Sequence, residues 1–496
     1  MLFAWDALAA GPGAPVDEAA TWGFWSWSSL VLALAVVGEV LAIVFVYRVL
    51  VRGVSPASTV LWMAVILAAP WFGLLAYYLL PRRLQLVRLR RLQRRERRLR
   101  EVRPRDDTGD VSVEPEAGGL EALLLQEGGL TDGNRVRWLP GGEQFFAEAA
   151  AAIEAAERHV HCVVYILRPD ETGLRFLEVL AAAARRGVAV RLCYDSFGSL
   201  GLKTSHLAAL REAGGRVEAF LPLLWKKRPF TINLRNHRKL LIVDGDVAFV
   251  GGRNVGDEYR TGKFGERQQW FDAMVELRGP AVDRLQEIFV QDWCTASEEV
   301  LSDTFRPACE AAGDARVAVV CSGPDREHSA LWFAIVQTIG EAVRTVDLSS
   351  PYLVMPPTLL FALQLAVARG VRVRVHTNGV RSEAAFLYHA QRHHYRRLLE
   401  SGIEVFETTE SYNHAKYLVV DGRHVLVGSA NMDLRSAHLN FEVAALVVGA
   451  PEFAGEVRAT IEERQAEFRR VTPELLPTNP FWRAIDALCG LFSPLM

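Results

Sequence analysis

Residues 235–254 read RNHRKLLIVDGDVAFVGGRN, and residues 413–431 read NHAKYLVVDGRHVLVGSAN. Both stretches have His, Lys and Asp at the spacing HxKxxxxD, then a Gly pair or Gly-Ser, and then Asn. The apolar run between Lys and Asp predicts a buried strand. Because residues two apart on a strand point to the same face, each copy is expected to direct an imidazole and an ammonium at one ligand.

The surrounding sequence repeats one plan of alternating helices and Val/Ile-rich strands. Tyr165 corresponds to Tyr352, and Gly187 to Gly370, at separations that differ by a few residues. Such a long repeat indicates a duplicated domain rather than a solenoid. We therefore expect an α/β fold of two tandem domains related by a pseudo-two-fold, each with a mixed sheet flanked by helices.

Two facing copies of the motif predict chemistry at phosphorus. One neutral His can attack while the other, protonated, donates to the leaving oxygen. No metal or other cofactor is expected, because Lys and Asn side chains can neutralise the phosphate. The alternative is a pair of structural strand histidines, and the duplication at matching points of the repeat argues against it.

The N-terminal region predicts two transmembrane helices. Residues 30–47 are apolar apart from Glu39, and residues 60–80 contain no charge. Both approach or reach the length that spans a bilayer. Ten Arg and one Glu follow between residues 82 and 100, which by the positive-inside rule puts the larger C-terminal part in the cytoplasm.

Composition limits the remaining possibilities. The 496 residues have a formal net charge of -2, which gives no general case for nucleic-acid binding. The six Cys are scattered, so neither a disulfide framework nor a zinc site is indicated. Residues 101–130 resemble a flexible acidic linker, with the globular region starting near Asn134. The predicted organisation is a membrane region at 1–81, a basic juxtamembrane helix and linker at 82–133, and two domains at 134–312 and 313–496.

Together with GGRNVGDEY, WFD, RGPAVDRLQEIF, GSANMDLRS and LNFE, the two motifs resemble the phospholipase D superfamily from about residue 134 onward. More specifically, the chain resembles the bacterial cardiolipin synthases, including APWFGLLAYYLL in the N-terminal region. The resemblance implies a membrane-anchored transferase that moves a phosphatidyl group between two phosphatidylglycerols through a phosphohistidine. Cardiolipin and glycerol would be the products.

The resemblance also implies roles for individual residues. The motif set is His237, Lys239, Asp244, His414, Lys416 and Asp421. Within it His237 would be the nucleophile and His414 the general acid and base, while the two aspartates would support structure. The phosphate-binding positions would be Lys239, Lys416, Asn254 and Asn431, with Ser429 as a helper. Asp272 and Glu442 would orient the imidazoles.

Several alternatives stay open at this point. Water or another alcohol could be the acceptor, which would make the protein a hydrolase or a headgroup-exchange enzyme. A nuclease and a catalytically inactive lipid-binding protein are less favoured. Phosphatidylglycerol, other anionic phospholipids and the bilayer are the expected partners, and nucleic acid is not. One chain contains both motifs, so an oligomer is compatible with the site without being required. A multi-pass inner-membrane location is expected.

Two further segments have two interpretations each. The basic loop LLWKKRPF at 223–230 could contact lipid headgroups or be an ordinary packed loop. The C-terminal FWRAIDALCGLFSPLM, from Phe481, has spacing that suits a short interfacial helix or a helix docked on the catalytic region.

Overall fold

The structure is a computed structural model that describes residues 18–50, 56–79, 119–126, 129–222, 234–262, 270–297, 299, 301, 309–326, 328–379 and 385–491. The chain divides into two compact units, residues 1–88 and 89–496. The Arg-rich run at 82–100 and the loop at 223–230 lie outside the described residues.

Within residues 18–50 and 56–79, the N-terminal unit contains three helices: α1 (Glu18–Leu50), α2 (Pro56–Ala68) and α3 (Pro70–Leu79). In the part of the chain that the structure describes, one helix is long and apolar enough to cross a membrane, over Ser29–Tyr47. The second apolar stretch is divided at Pro70, which has no N–H to continue a helical ladder. The structure therefore gives one continuous candidate span where the sequence predicted two.

The second unit has the predicted alternation of helices and strands. Its first half contains α4 (Gly119–Gln126), β1 (Leu130–Leu139), α5 (Gly142–Glu154), β2 (His159–Val164), α6 (Glu171–Arg185), β3 (Ala189–Asp195), α7 (Ala208–Glu212), β4 (Arg216–Phe220), β5 (Arg235–Asn236), β6 (Leu240–Val243), β7 (Val247–Gly251), α8 (Asp257–Thr261), β8 (Trp270–Phe271), β9 (Met274–Arg278) and α9 (Ala281–Ser297). Its second half contains β10 (Ala315–Ser322), α10 (Ala330–Gly340), β11 (Thr345–Ser349), α11 (Pro357–Ala368), β12 (Arg372–Thr377), α12 (Ala385–Glu400), β13 (Glu404–Thr408), β14 (Tyr412–Asn413), β15 (Tyr417–Val420), β16 (His424–Gly428), α13 (Leu434–His438), β17 (Asn440–Val448), α14 (Pro451–Glu463), β18 (Phe468–Arg470) and α15 (Pro480–Leu491).

Among the described residues, all strands except β8 and β14 form one large mixed sheet that runs through both halves. Its order is β18-β13-β12-β11-β15-β16-β17-β10-β1-β9-β7-β6-β2-β3-β4. In each half three strands pair in parallel, β2-β3-β4 and β11-β12-β13, and an antiparallel hairpin follows. The predicted α/β fold with a mixed sheet and an internal repeat is confirmed. The halves share one sheet because β1 pairs with β10.

The second unit contains a packed helix ahead of residue 134, where the sequence placed the start of the globular region. Leu120 and Leu124 of α4 are 3% and 1% exposed and pack in the core under α10. The expectation of a flexible linker to residue 130 is therefore wrong for residues 119–126. The two leucines are four residues apart, so they lie on one face of the helix and both reach the core.

Two short strand pairs exchange partners between the halves and position the site. Strand β5, just before the first motif, pairs in parallel with the start of β17. Strand β14, just before the second motif, pairs in parallel with β8. The strand that leads into each motif is therefore hydrogen-bonded to the opposite half.

Candidate active site

Both motif histidines lie in short extended segments between two strands. The backbone N–H of His237 donates to the carbonyl of Phe441 at 3.0 Å, and that of His414 donates to the carbonyl of Phe271 at 2.7 Å. The motif lysines come two residues later, and each directly precedes the first strand of a hairpin. Each histidine is 7% exposed, so both lie almost wholly inside the protein.

The carboxylates that contact the two imidazoles are crossed between the halves. Nδ1 of His237 lies 3.0 Å from both carboxylate oxygens of Glu442. Nδ1 of His414 lies 2.6 Å from Oδ2 of Asp272. Both carboxylates are fully buried. Because a carboxylate accepts hydrogen bonds, each ring has its proton on Nδ1, which leaves the Nε2 lone pair for chemistry.

Burial and the nearby lysines make both rings neutral. Burial lowers the pKa of His237 to about 4 against the opposing charge of Glu442, with Lys239 and Lys416 adding to the decrease. Burial and then Lys416 lower the pKa of His414 to about 3. A neutral imidazole is the nucleophilic form.

The carboxylates are ionised in spite of their burial. Burial opposes the ionisation of Glu442, but His237, Lys239 and the Ser429 hydroxyl outweigh it and lower the pKa to about 2. Burial likewise opposes the ionisation of Asp272, and Lys416, His414 and other groups lower its pKa below the usual range. An ionised carboxylate that accepts from Nδ1 can fix the tautomer and orientation of a ring, as the third member of a hydrolase triad does.

The motif lysines place two amines in the same buried space. Nζ of Lys239 donates to the carbonyl of His237 at 2.6 Å and lies 5.1 Å from the ring centre of Tyr165. Nζ of Lys416 donates to the carbonyl of His414 and lies 2.9 Å from its Nδ1. The pKa of each imidazole is influenced by both lysines, so the two motifs form one electrostatic site.

Glu442 is held by more donors than the sequence suggested. Its oxygens accept from the hydroxyl of Ser429 at 2.5 Å, the hydroxyl of Ser436 at 2.8 Å and the amide of Asn440 at 3.2 Å. Ser429 was predicted to help bind phosphate, but in the structure its hydroxyl donates to this carboxylate. Ser436 and Asn440 lie in the strings that the family resemblance used, yet sequence reasoning gave them no role.

The predicted phosphate-binding asparagines have different surroundings. Asn254 accepts from the backbone N–H of Ile166 at 3.2 Å and donates to the hydroxyl of Tyr259 at 2.9 Å. The side-chain oxygen of Asn431 is buried without a hydrogen-bond partner among the described residues. Within the same part of the chain, no group of His, Cys, Asp and Glu has the arrangement of a metal site.

The structure does not bring the motif aspartates to the site. Asp244 accepts from the backbone N–H groups of residues 157–159, and Asp421 accepts from those of residues 343–345. Both adopt φ of 54° in the turn between the hairpin strands. They close the same turn in each half, far along the strand from the histidine.

Aromatic rings around the histidines were not predicted as site residues. Tyr165 lies edge-on to His237 at 4.8 Å between ring centres. Trp270, Tyr259 and Tyr412 surround His414, at 5.5, 5.5 and 6.3 Å. Tyr165 was visible as a landmark of the repeat, and Trp270 stands in the WFD string. Their clustering depends on the exchanged strand pairs, which no local pattern reveals.

Comparisons with known proteins agree with this geometry. The family model described as "Cardiolipin synthase, PLD-like domain" matches residues 150–293 and 335–465. A cardiolipin synthase of Listeria innocua is 33% identical over 89% of this chain and 94% of its own length. A cardiolipin synthase of Geobacillus kaustophilus is 33% identical over 95% of each chain.

A solved structure shares the fold. The phosphatidylserine synthase of Haemophilus influenzae aligns with a TM-score of 0.59 and 14% identity, covering 76% of this chain and 97% of that one. The family match extends over both halves of the repeat and includes both motif pairs. By its sequence, its fold and these matches, the chain belongs to the cardiolipin synthase family of phospholipase D-like enzymes.

Proposed function

We propose that this protein makes cardiolipin and glycerol from two molecules of phosphatidylglycerol, through a phosphohistidine at His237. The observation that supports the proposal best is the crossed pair of imidazole–carboxylate contacts beside two buried lysines. It provides a nucleophile, an acid and base, and positive charge in one place. The names of the matched relatives point to the same product.

In the first step, Nε2 of His237 attacks the phosphorus of the donor. The bond from phosphorus to the glycerol headgroup oxygen breaks, and His414 gives that oxygen its proton. His414 is neutral in the free site, so it takes up this proton when substrate binds. Burial, Lys416 and Lys239 lower the pKa of His414 in the free site, and the negative phosphodiester raises it again by adding an opposite charge beside the ring.

In the second step, the headgroup hydroxyl of another phosphatidylglycerol replaces glycerol. His414, now neutral, removes the hydroxyl proton while the oxygen attacks phosphorus. The phosphorus–nitrogen bond breaks and releases His237 as a neutral ring held by Glu442. Lys239, Lys416, Asn254 and Asn431 bind the non-bridging phosphate oxygens in both steps.

We place this chemistry at the cytoplasmic face of the inner membrane. Residues 60–80 form the second span despite the break at Pro70, since proline is tolerated in transmembrane helices. Two spans return the chain to its starting side, and the Arg-rich run at 82–100 sets that side as cytoplasmic. Two phospholipase D-like domains then follow, with their boundary near residue 312. An impermeant protease should degrade the C-terminal region in inverted vesicles and spare it in intact cells.

The direct test is mass spectrometry of products after the purified full chain is incubated with phosphatidylglycerol vesicles. Equal amounts of cardiolipin and glycerol are expected, with none from His237→Ala. Phosphatidic acid without cardiolipin would instead identify a hydrolase, and transfer only to an added alcohol would identify a headgroup-exchange enzyme. Cleavage of DNA at a comparable rate would contradict the lipid assignment.

A further inference from the structure

A second basic site lies away from the motif histidines, between helices α12 and α15. A cavity of about 410 Å³ opens there, lined on its polar side by Arg392, His393, Arg396, Arg483 and Asp486. None of these residues belongs to the crossed histidine–carboxylate site. The proposed reaction does not use them.

The two helices are joined through one buried carboxylate. Asp486 is 5% exposed and accepts from Arg392 Nε and Nη2, each at 2.8 Å. Its Oδ1 also lies 2.8 Å from His389 Nδ1. The ring of Trp482 stacks on His389 at 5.8 Å between centres. The C-terminal segment is therefore docked on the catalytic region, which was one of its two predicted interpretations.

The cavity has more positive charge than Asp486 can neutralise. Asp486 is occupied by Arg392, whereas Arg396 and Arg483 are solvent-exposed. Neither has an ion-pair partner among the residues that the structure describes. Two guanidinium groups beside one open cavity suit a phosphate monoester or diester, which they can bind in a bidentate manner.

The outer face of α15 is apolar and open to solvent. Phe481 and Leu488 are seven residues apart, on one side of the helix, and are 63% and 57% exposed. Trp482 is 46% exposed, although one face of its ring stacks on His389. Large exposed apolar side chains beside basic residues are typical of a helix that lies at a membrane interface.

We propose that this surface binds the anionic lipid bilayer, with a phospholipid phosphate in the arginine cavity and the Phe481 face of α15 among the acyl chains. The apolar helix face and the basic cavity are adjacent, which matches the order of acyl chain and headgroup in a lipid. The same chain also has a helix of membrane-spanning length, so a bilayer is within reach. A soluble phosphate would account for the arginines but not for the apolar face.

The test uses the full chain in lipid nanodiscs, with an environment-sensitive fluorophore attached at position 488. The chain carries Leu488→Cys with Cys309→Ser and Cys489→Ser, because the other four cysteines are buried. Spin-labelled acyl chains quench the fluorophore only on contact. Quenching is expected in discs that contain phosphatidylglycerol, and little in discs of phosphatidylcholine alone.

Charge reversal separates the cavity from general electrostatics. Arg396→Glu with Arg483→Glu should reduce the preference for anionic discs by about fivefold for each arginine lost. The matched control is Arg175→Glu with Arg185→Glu, two exposed arginines of α6, and it should keep the preference. The proposal would be overturned if the protein with its arginines intact were quenched equally in both kinds of disc. It would also be overturned if the two double variants lost the preference for anionic discs to the same extent.

A third arm distinguishes lipid from free anion. Inorganic phosphate added to phosphatidylcholine discs should leave the fluorophore unchanged. A spectral change with phosphate alone, without quenching by acyl chains, would identify a soluble-anion site and overturn the lipid assignment. All arms are binding measurements, so their failure is distinguishable from failure of the proposed reaction.

Discussion

The two halves of the active site use the same imidazole–carboxylate contact in different surroundings. Glu442 contacts His237 and accepts from three further side chains. Asp272 contacts His414, and its other oxygen accepts from the backbone N–H of Ala273. The first carboxylate is thus held by side chains, and the second by its own backbone. The difference concerns the carboxylates and not the packing of the rings, because three aromatic rings surround His414.

Neutralising either carboxylate should have the largest effect. We expect Glu442→Gln and Asp272→Asn each to lower kcat by about 10,000-fold, as happens when a triad carboxylate is replaced by its amide. KM should change little, because neither carboxylate touches the lipid. Steady-state kinetics on phosphatidylglycerol vesicles measures both constants. A rise in KM in both variants, with kcat unchanged, would contradict an orienting role.

The same pair of variants should differ in stability. Two hydroxyls and one amide donate to Glu442, and the NH₂ group of a Gln at this position cannot accept from them. Each buried donor left without a partner lowers the free energy of unfolding by about 1–3 kcal/mol. Asn at 272 meets fewer such donors. Thermal unfolding should therefore show a larger decrease in Tm for Glu442→Gln. Equal decreases would show that the surroundings of the two carboxylates do not differ energetically.

Gly252 occupies the position in the first half that Ser429 occupies in the second. A Cβ at Gly252 would lie 2.2 Å from Oδ1 of Asp272 and 3.1 Å from Cδ of Lys416. Gly252→Ala must therefore displace the carboxylate that holds His414. We expect activity to fall about 100-fold or more, the effect of misplacing a catalytic group by about 1 Å.

A matched glycine controls for the extra methyl group. Gly455 in α14 has open space at its Cβ position, and Gly455→Ala should leave activity unchanged. The methyl group favours the helix at that position. Comparable losses in the two variants would contradict the packing explanation for Gly252.

The depressed pKa of His237 gives a pH prediction. The neutral ring attacks, and its pKa of about 4 is below the ordinary value of 6.5. With a nitrophenyl phosphatidyl ester, whose leaving group needs no proton, kcat/KM, which reports the free enzyme, should stay level from pH 7 to about 5. It should fall only as pH decreases through about 4, where the ring is protonated. Loss of rate centred near pH 6.5 would contradict the neutral buried ring.

The smallest effect is expected at Ser429. Ser429→Ala removes one donor to Glu442 but leaves Ser436, Asn440 and His237 in contact with it. We expect about a tenfold lower kcat, equivalent to about 1.4 kcal/mol. Ser205→Ala, at an exposed site in the first half, is the control. If Ser429 instead bound phosphate, KM would rise while kcat remained near its original value.

Local patterns predicted the repeat, the apolar hairpin strands and the identity of the motif residues. They could not predict that each imidazole contacts a carboxylate of the opposite half. That arrangement depends on β5 pairing with β17 and β14 with β8, which are more than a hundred residues apart in sequence. For the same reason the sequence did not reveal that the Ser429 hydroxyl donates to Glu442. Helix α4 was missed because its eight residues follow an acidic stretch, and so short a helix is stable only through its contact with α10.

The most direct test is the reaction of His414→Ala and His237→Ala with the nitrophenyl phosphatidyl ester. Because nitrophenolate leaves without a proton, His414→Ala should release about one equivalent per site in a rapid burst and retain a phosphatidyl group on His237. His237→Ala should give neither burst nor covalent adduct. A burst and adduct in His237→Ala, with none in His414→Ala, would reverse the two roles and contradict the proposed mechanism.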